Sequence, residues 1–180
     1  YLNIEIMYTA IANTRLIGAL SVMNNKGFLL PSTAYQDEYD YLKNETDLEI
    51  GVLDTKFNAL GNVICANDKG AIVSPALSKE NCQVIADVLG VEVLQKKISG
   101  SHLSGVTLRA NNTGAVIHPE TEEKDMEIIA DVLGVNIEQS SINGGVPYVS
   151  SGILANNHCI VVGSLTNGSE IMNLTKAFLN

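Results

Sequence analysis

Gly61-Asn-Val-Ile-Cys-Ala-Asn67-Asp-Lys-Gly70-Ala-Ile-Val-Ser-Pro75 carries the pattern on which the chain is built. A short apolar run ends in Asn, a turn closes on Gly, a second apolar run follows, and Pro ends it. Asn and Gly tolerate the left-handed backbone of tight turns, so the segment predicts a hairpin of two buried strands. The pattern recurs at 18–31 around Asn24, at 105–119 around Asn111 and, more loosely, at 151–163 around Asn156. The anchor asparagines lie 43, 44 and 45 residues apart. The heptapeptide Ile-Ala-Asp-Val-Leu-Gly-Val stands at 85–91 and again at 129–135, in the same register. A register held through four copies marks an internal repeat of about 44 residues.

Outward from each hairpin the same elements follow. The segment 78–89 places Val84, Ile85, Val88 and Leu89 on one helical face, and Ile128, Ile129, Val132 and Leu133 repeat the spacing. Ser78 and Thr121 are the expected N-caps, Gly90 and Gly134 the expected stops. A further strand is predicted at 2–11, 48–53, 91–98 and 135–142. The unit is therefore strand, strand, helix, strand. A unit this small cannot cover its own apolar face and must pack on its neighbours. A closed ring with helices on the rim answers that need and leaves no polar cap to build. The units run over about 1–46, 47–89, 90–133 and 134–180 of a single domain. The chain opens in mid-unit at Tyr1, which implies an upstream continuation of roughly one unit less that strand.

Composition narrows the function. With 180 residues and 46% hydrophobic side chains the chain can bury a core, and it is not disordered. The net charge of −9 argues against gripping bare nucleic acid through many phosphate contacts, but not against docking on a basic protein. No apolar run reaches membrane-spanning length, and 1–20 lacks the basic start and apolar run of a secretory signal. Cys65, Cys82 and Cys159 read as small buried hydrophobes of a reducing, cytoplasmic protein. A nucleophilic Cys would need one of His102, His118 or His158 within reach. His158 and Cys159 are adjacent on a strand and point to opposite faces. No metal-ligand spacing and no glycine-rich phosphate loop is present, so neither metal nor cofactor is expected. The acidic stretches 37–49 and 120–131 read as solvated surface. Asn143-Gly144 and Asn167-Gly168 read as tight turns. Residues 139–180 carry only Glu170 and Lys176 as charges, which asks for burial or a covering partner. Arg15, in the linker before a hairpin, is placed as an interface anchor would be.

The run Asn58-Ala-Leu-Gly-Asn-Val-Ile-Cys-Ala-Asn67, with 85–93 and Gly152-Ile-Leu-Ala-Asn156, resembles the translation initiation factor 6 family of archaea and eukaryotes. The likeness runs over essentially the whole chain, and the end at Asn180, soon after the last helix, resembles the archaeal version. The resemblance implies a pentein-type β/α propeller, five such units around a pseudo-fivefold axis, with the N-terminal part of the first unit missing. It implies binding to the large ribosomal subunit, mainly to a ribosomal protein near the sarcin–ricin loop, with little direct RNA contact. The small subunit is then kept from joining too early, and large-subunit maturation is served as well. It implies no catalysis, no membrane and a cytoplasmic monomer. Carried onto matching positions, the docking residues are Arg15, Asn24, Asn25, Lys26, Lys56, Asn58 and Asn62, while Ala19 and Val52 stand where charge would be expected. The alternative is a guanidine-modifying enzyme of the pentein superfamily with a Cys nucleophile.

Overall fold

The computed structural model describes residues 6–179. Four copies of one motif follow each other. In the first, the one-turn helix α1 (Ile17–Leu20) leads into β1 (Val22–Met23), β2 (Gly27–Pro31), helix α2 (Gln36–Glu45) and β3 (Glu49–Leu53). In the second these are α3 (Leu60–Val63), β4 (Ile64–Ala66), β5 (Gly70–Val73), α4 (Lys79–Leu89) and β6 (Glu92–Gln95). In the third they are α5 (Ser104–Thr107), β7 (Leu108–Ala110), β8 (Gly114–Ile117), α6 (Glu123–Leu133) and β9 (Asn136–Gln139). The fourth has a 3₁₀ turn (Val149–Gly152), β10 (Ile153–Ala155), β11 (Ile160–Val162) and α7 (Gly168–Phe178). Each of the first three sheets pairs its hairpin antiparallel and then adds a parallel third strand across the helix. The result is a mixed α/β fold of small sheets.

The central strand of each sheet is buried on both faces, and its side chains alternate between two cores. Phe28 and Leu30 meet Leu42 of their own helix, whereas Leu29 joins Ile85 and Leu89 of α4 in the next unit. Ala71 and Val73 share the core of α4, whereas Ile72 joins Ile129 and Leu133 of α6. Val116 likewise joins Leu174 and Phe178 of α7. Three of the four core clusters are thus shared by two units, so the strands of the first three units are covered on one face by the helix that follows in the next unit.

The linker turns also follow one rule. Ile11–Thr14, Ile98–Ser101 and Ile142–Val146 each close a single bridge over residues with positive φ, Ala12, Asn13, Ser99 and Asn143 among them. The third residue of a rim helix holds such a turn from the neighbouring segment. Glu38 accepts from the backbone N–H of Ala12 and Asn13. Glu170, only 3% exposed, accepts from Gly144, Gly145, Asn167 and the Ser141 hydroxyl. Burial pushes the Glu170 carboxyl up, yet these four hydrogen bonds outweigh it and hold the pKa at about 2. A folded-state pKa below the ordinary 4.5 makes the ionised group a stabiliser above that pH, and the contribution fades as pH falls from 4.5 towards 2. Glu170→Gln turns an amide towards N–H donors and is expected to cost about 2 kcal/mol at neutral pH. Chemical denaturation across that pH range is expected to show the difference from the parent shrinking; a constant difference would refute the assignment.

Several sequence expectations are corrected. Residues 2–5 of the predicted strand 2–11 lie outside the described residues, 6–10 form no strand, and Ile11 makes only the bridge to Thr14. The other third strands are shorter than predicted because the chain leaves for the linker turn. The stretches beginning at Gly18, Gly61 and Gly105 start as one-turn helices rather than strands. Ser78 caps α4 as expected and Gly90 and Gly134 end their helices in left-handed conformation, but Thr121 is not a cap. Its amide and hydroxyl both turn back to the His118 carbonyl, and Glu122 takes the cap position. Asn143-Gly144 is a tight turn; Asn167-Gly168 instead caps α7, with Oδ1 accepting from Glu170 N–H. Ile128 is 45% exposed, off the buried stripe of α6.

Candidate functional site

Each hairpin tip is closed by its anchor asparagine. Asn24 Oδ1 accepts from the backbone N–H of Lys26 and Gly27 at 3.0 and 2.9 Å. Its Nδ2 then donates across the unit boundary, to Asn67 O at 3.1 Å and to Leu89 O at the end of α4 at 2.8 Å. Asn67 repeats this towards Asn111 O and Leu133 O, and Asn111 towards Asn156 O. A second, outer relay runs beside it: Asn25 N–H to Asp68, Asp68 N–H to Asn112, Asn112 N–H to Asn157. Lys26 and Lys69 place their ammonium groups on Gly90 O and Gly134 O, where a helix C-terminus favours a cation.

These relays divide the predicted docking residues into two groups. Asn24 is 8% exposed, and its amide is wholly engaged in joining units, so it is a structural tie rather than a contact surface. Asn25 and Lys26 are exposed, but their polar groups face the neighbouring tip and helix end. The second group lies at the other end of the hairpins. Arg15 is exposed just before α1. Asn58 and Lys56 are exposed before α3, with the Lys56 ammonium over the Phe57 ring, and Asn62 sits half-buried within α3. The helices α1 and α3 pack backbone to backbone, since a Cβ on Gly61 would stand 2.1 Å from Gly18 O. Arg15 is thus carried just before one of two helices in backbone contact, and Lys56, Asn58 and Asn62 before or within the other.

Sequence reasoning missed the apolar companion of this group. Leu16 is 66% exposed beside Arg15, and Leu103 and Tyr148, at the matching positions before α5 and the 3₁₀ turn, are exposed too. The repeat register was the available signal, because each stands eight residues before an anchor asparagine. An exposed cation flanked by amides and large apolar groups suits protein contact.

The groups suited to chemistry are scattered. Burial pushes the Cys65 thiol up to about 11, with the nearby Arg109 only partly opposing it. Cys82 is raised by burial and by Glu80. Neither is set up as a thiolate nucleophile. Among the described residues no group of three His, Cys, Asp or Glu could hold a metal ion, and no helix is long and apolar enough to cross a membrane.

The family described as "eIF-6 family" matches residues 1–177. The chain is 72% identical over 180 residues to "Translation initiation factor 6" of Nitrosopumilus maritimus, covering 100% of the chain and 81% of that protein. It is 45% identical over 181 residues to "Translation initiation factor 6" of Pyrococcus furiosus, covering 98% and 80%. It is 37% identical over 177 residues to "Eukaryotic translation initiation factor 6" of Emericella nidulans, covering 97% and 72%.

Proposed function

We propose, on the premise that this chain belongs to the eIF-6 family, that it docks on the large ribosomal subunit and keeps the small subunit from joining prematurely. The observation that supports it is the packing of α1 on α3, which carries exposed Arg15 and Leu16 on one element and Lys56, Asn58 and Asn62 on the other. The action is steric rather than catalytic: a rigid body occupies a surface that the partner subunit needs, and by mass action it stabilises the free large subunit. A net charge of −9 suits a basic ribosomal protein near the sarcin–ricin loop as the main partner, with little direct RNA contact. A cytoplasmic monomer with a part in large-subunit maturation fits the same reading. We place the units in a pentein-type arrangement around a pseudo-fivefold axis. Its support is the one-way asparagine relay and the exposed Leu154–Val161 pair, which stands where Cys65–Ile72 is buried in the second unit.

The test is co-sedimentation with purified archaeal large subunits, joined to a subunit-association assay. Arg15→Ala and Asn62→Ala are each expected to weaken binding roughly tenfold while melting like the parent. Unchanged binding by both variants overturns the site; failure of the parent chain to bind overturns the function.

A further inference from the structure

The first strands of the four hairpins and the turns before them enclose a cavity of about 570 Å³, within the size range of small-molecule sites. Its wall is mostly apolar, with Ile64, Leu108 and Leu154 among its lining. The repeat provides an internal control for one position of this wall. Two residues before each anchor asparagine stand Val22, Cys65, Arg109 and Leu154, and all four line the cavity. Three copies use a hydrophobe and the third a permanent cation. The fold does not need that cation, because three sister positions do without it. Arg109 Nε is buried without a hydrogen-bond partner, and its guanidinium forms no ion pair among the described residues. Asp68, the acid on the same wall, is already engaged by the side chains of Asn25 and Asn112 at the hairpin tips. Arg109 as a whole is half-buried, so its guanidinium reaches the cavity while the buried Nε goes without a partner.

We infer that this cavity binds a small organic monoanion, an apolar body bearing one carboxylate whose oxygens pair with the Arg109 fork. The guanidinium geometry matches a carboxylate held by two parallel N–H donors. The single unpaired positive charge, with Asp68 on the same wall, favours one negative charge over the near-dianion of phosphate. The apolar lining would hold the body of the ligand. α1 and α3 contribute Ile17, Gly18 and Gly61 to this cavity, but Arg15, Lys56, Asn58 and Asn62 are not in its lining, so the proposal does not rest on the ribosomal reading.

Calorimetric titration with octanoate tests it, with inorganic phosphate as the second arm. Saturable one-to-one binding of octanoate is expected, with phosphate weaker. Arg109→Leu, the choice of a sister copy, is expected to melt higher than the parent and to bind octanoate at least roughly tenfold more weakly. Arg109→Lys keeps the charge without the fork and is expected to fall between them. No octanoate binding by the parent chain overturns the proposal. So does equal octanoate affinity in Arg109→Leu and Arg109→Lys, and phosphate binding tighter than octanoate overturns the carboxylate class.

Discussion

Asn67→Ala is expected to lower the unfolding free energy by about 3–5 kcal/mol, a large share of the 5–15 kcal/mol typical of a domain. Asn67 is 4% exposed and its side chain makes four hydrogen bonds. Two are received from Lys69 and Gly70 N–H within its own tip, and two are given to Asn111 O and Leu133 O of the next unit. Truncation strands all four backbone groups in a water-poor joint, and each stranded group carries a penalty of about 1–3 kcal/mol before relaxation. Asn112→Ala, at an outer and more exposed tip position, is the contrast and is expected to cost about 1 kcal/mol or less. Equilibrium denaturation of the three proteins decides the matter. A loss below about 1 kcal/mol for Asn67→Ala would mean that water replaces the relay without penalty.

Gly114→Ala is expected to be worse, costing about 4 kcal/mol or more, or preventing folding. A Cβ there would stand 1.7 Å from Ala177 O, a backbone atom at the end of α7. Backbone against backbone cannot yield by a rotamer change, so the helix must leave the sheet and open the core of Val116, Leu174 and Phe178. The φ of Gly114 is not positive, so the effect is purely steric. A Cβ on Gly27 would stand 2.0 Å from Val88 O and one on Gly70 2.2 Å from Val132 O, and both changes should behave alike. Gly18, with nothing within 4 Å, is the control. Its change to Ala should leave thermal stability near the parent's. Similar melting of Gly114→Ala and Gly18→Ala would refute this account of how helix and sheet meet.

Much of the architecture was legible because local chemistry and repetition agree. Asn67 and Gly70 mark a turn through their own backbone preferences, and Ser78 and Gly90 mark the two ends of α4. Other features were not legible, because they depend on what lies opposite. The stretch at Gly61 looks like the start of a strand, but it runs as one turn of helix packed against Gly18 O of the preceding unit. Thr121 has a cap residue's chemistry, yet the turn after Pro119 draws its hydroxyl back to His118 O. Of the seven contact residues that the resemblance implies, Asn24 was legible as a turn residue, but the bonding of its amide into the next unit was not.

By itself the sequence determined the period, the order of elements in each unit and the family, because these rest on local propensity and on residues repeated in register. Only the tertiary structure decided that α4, α6 and α7 also cover a strand of the preceding unit, that Asn24 joins units, and that Arg109 lines a cavity. The alternation of a strand says that it has two faces, but not which neighbour covers each one. That choice is made where helix ends and glycine-lined strands approach within contact, across 43 residues or more of intervening chain.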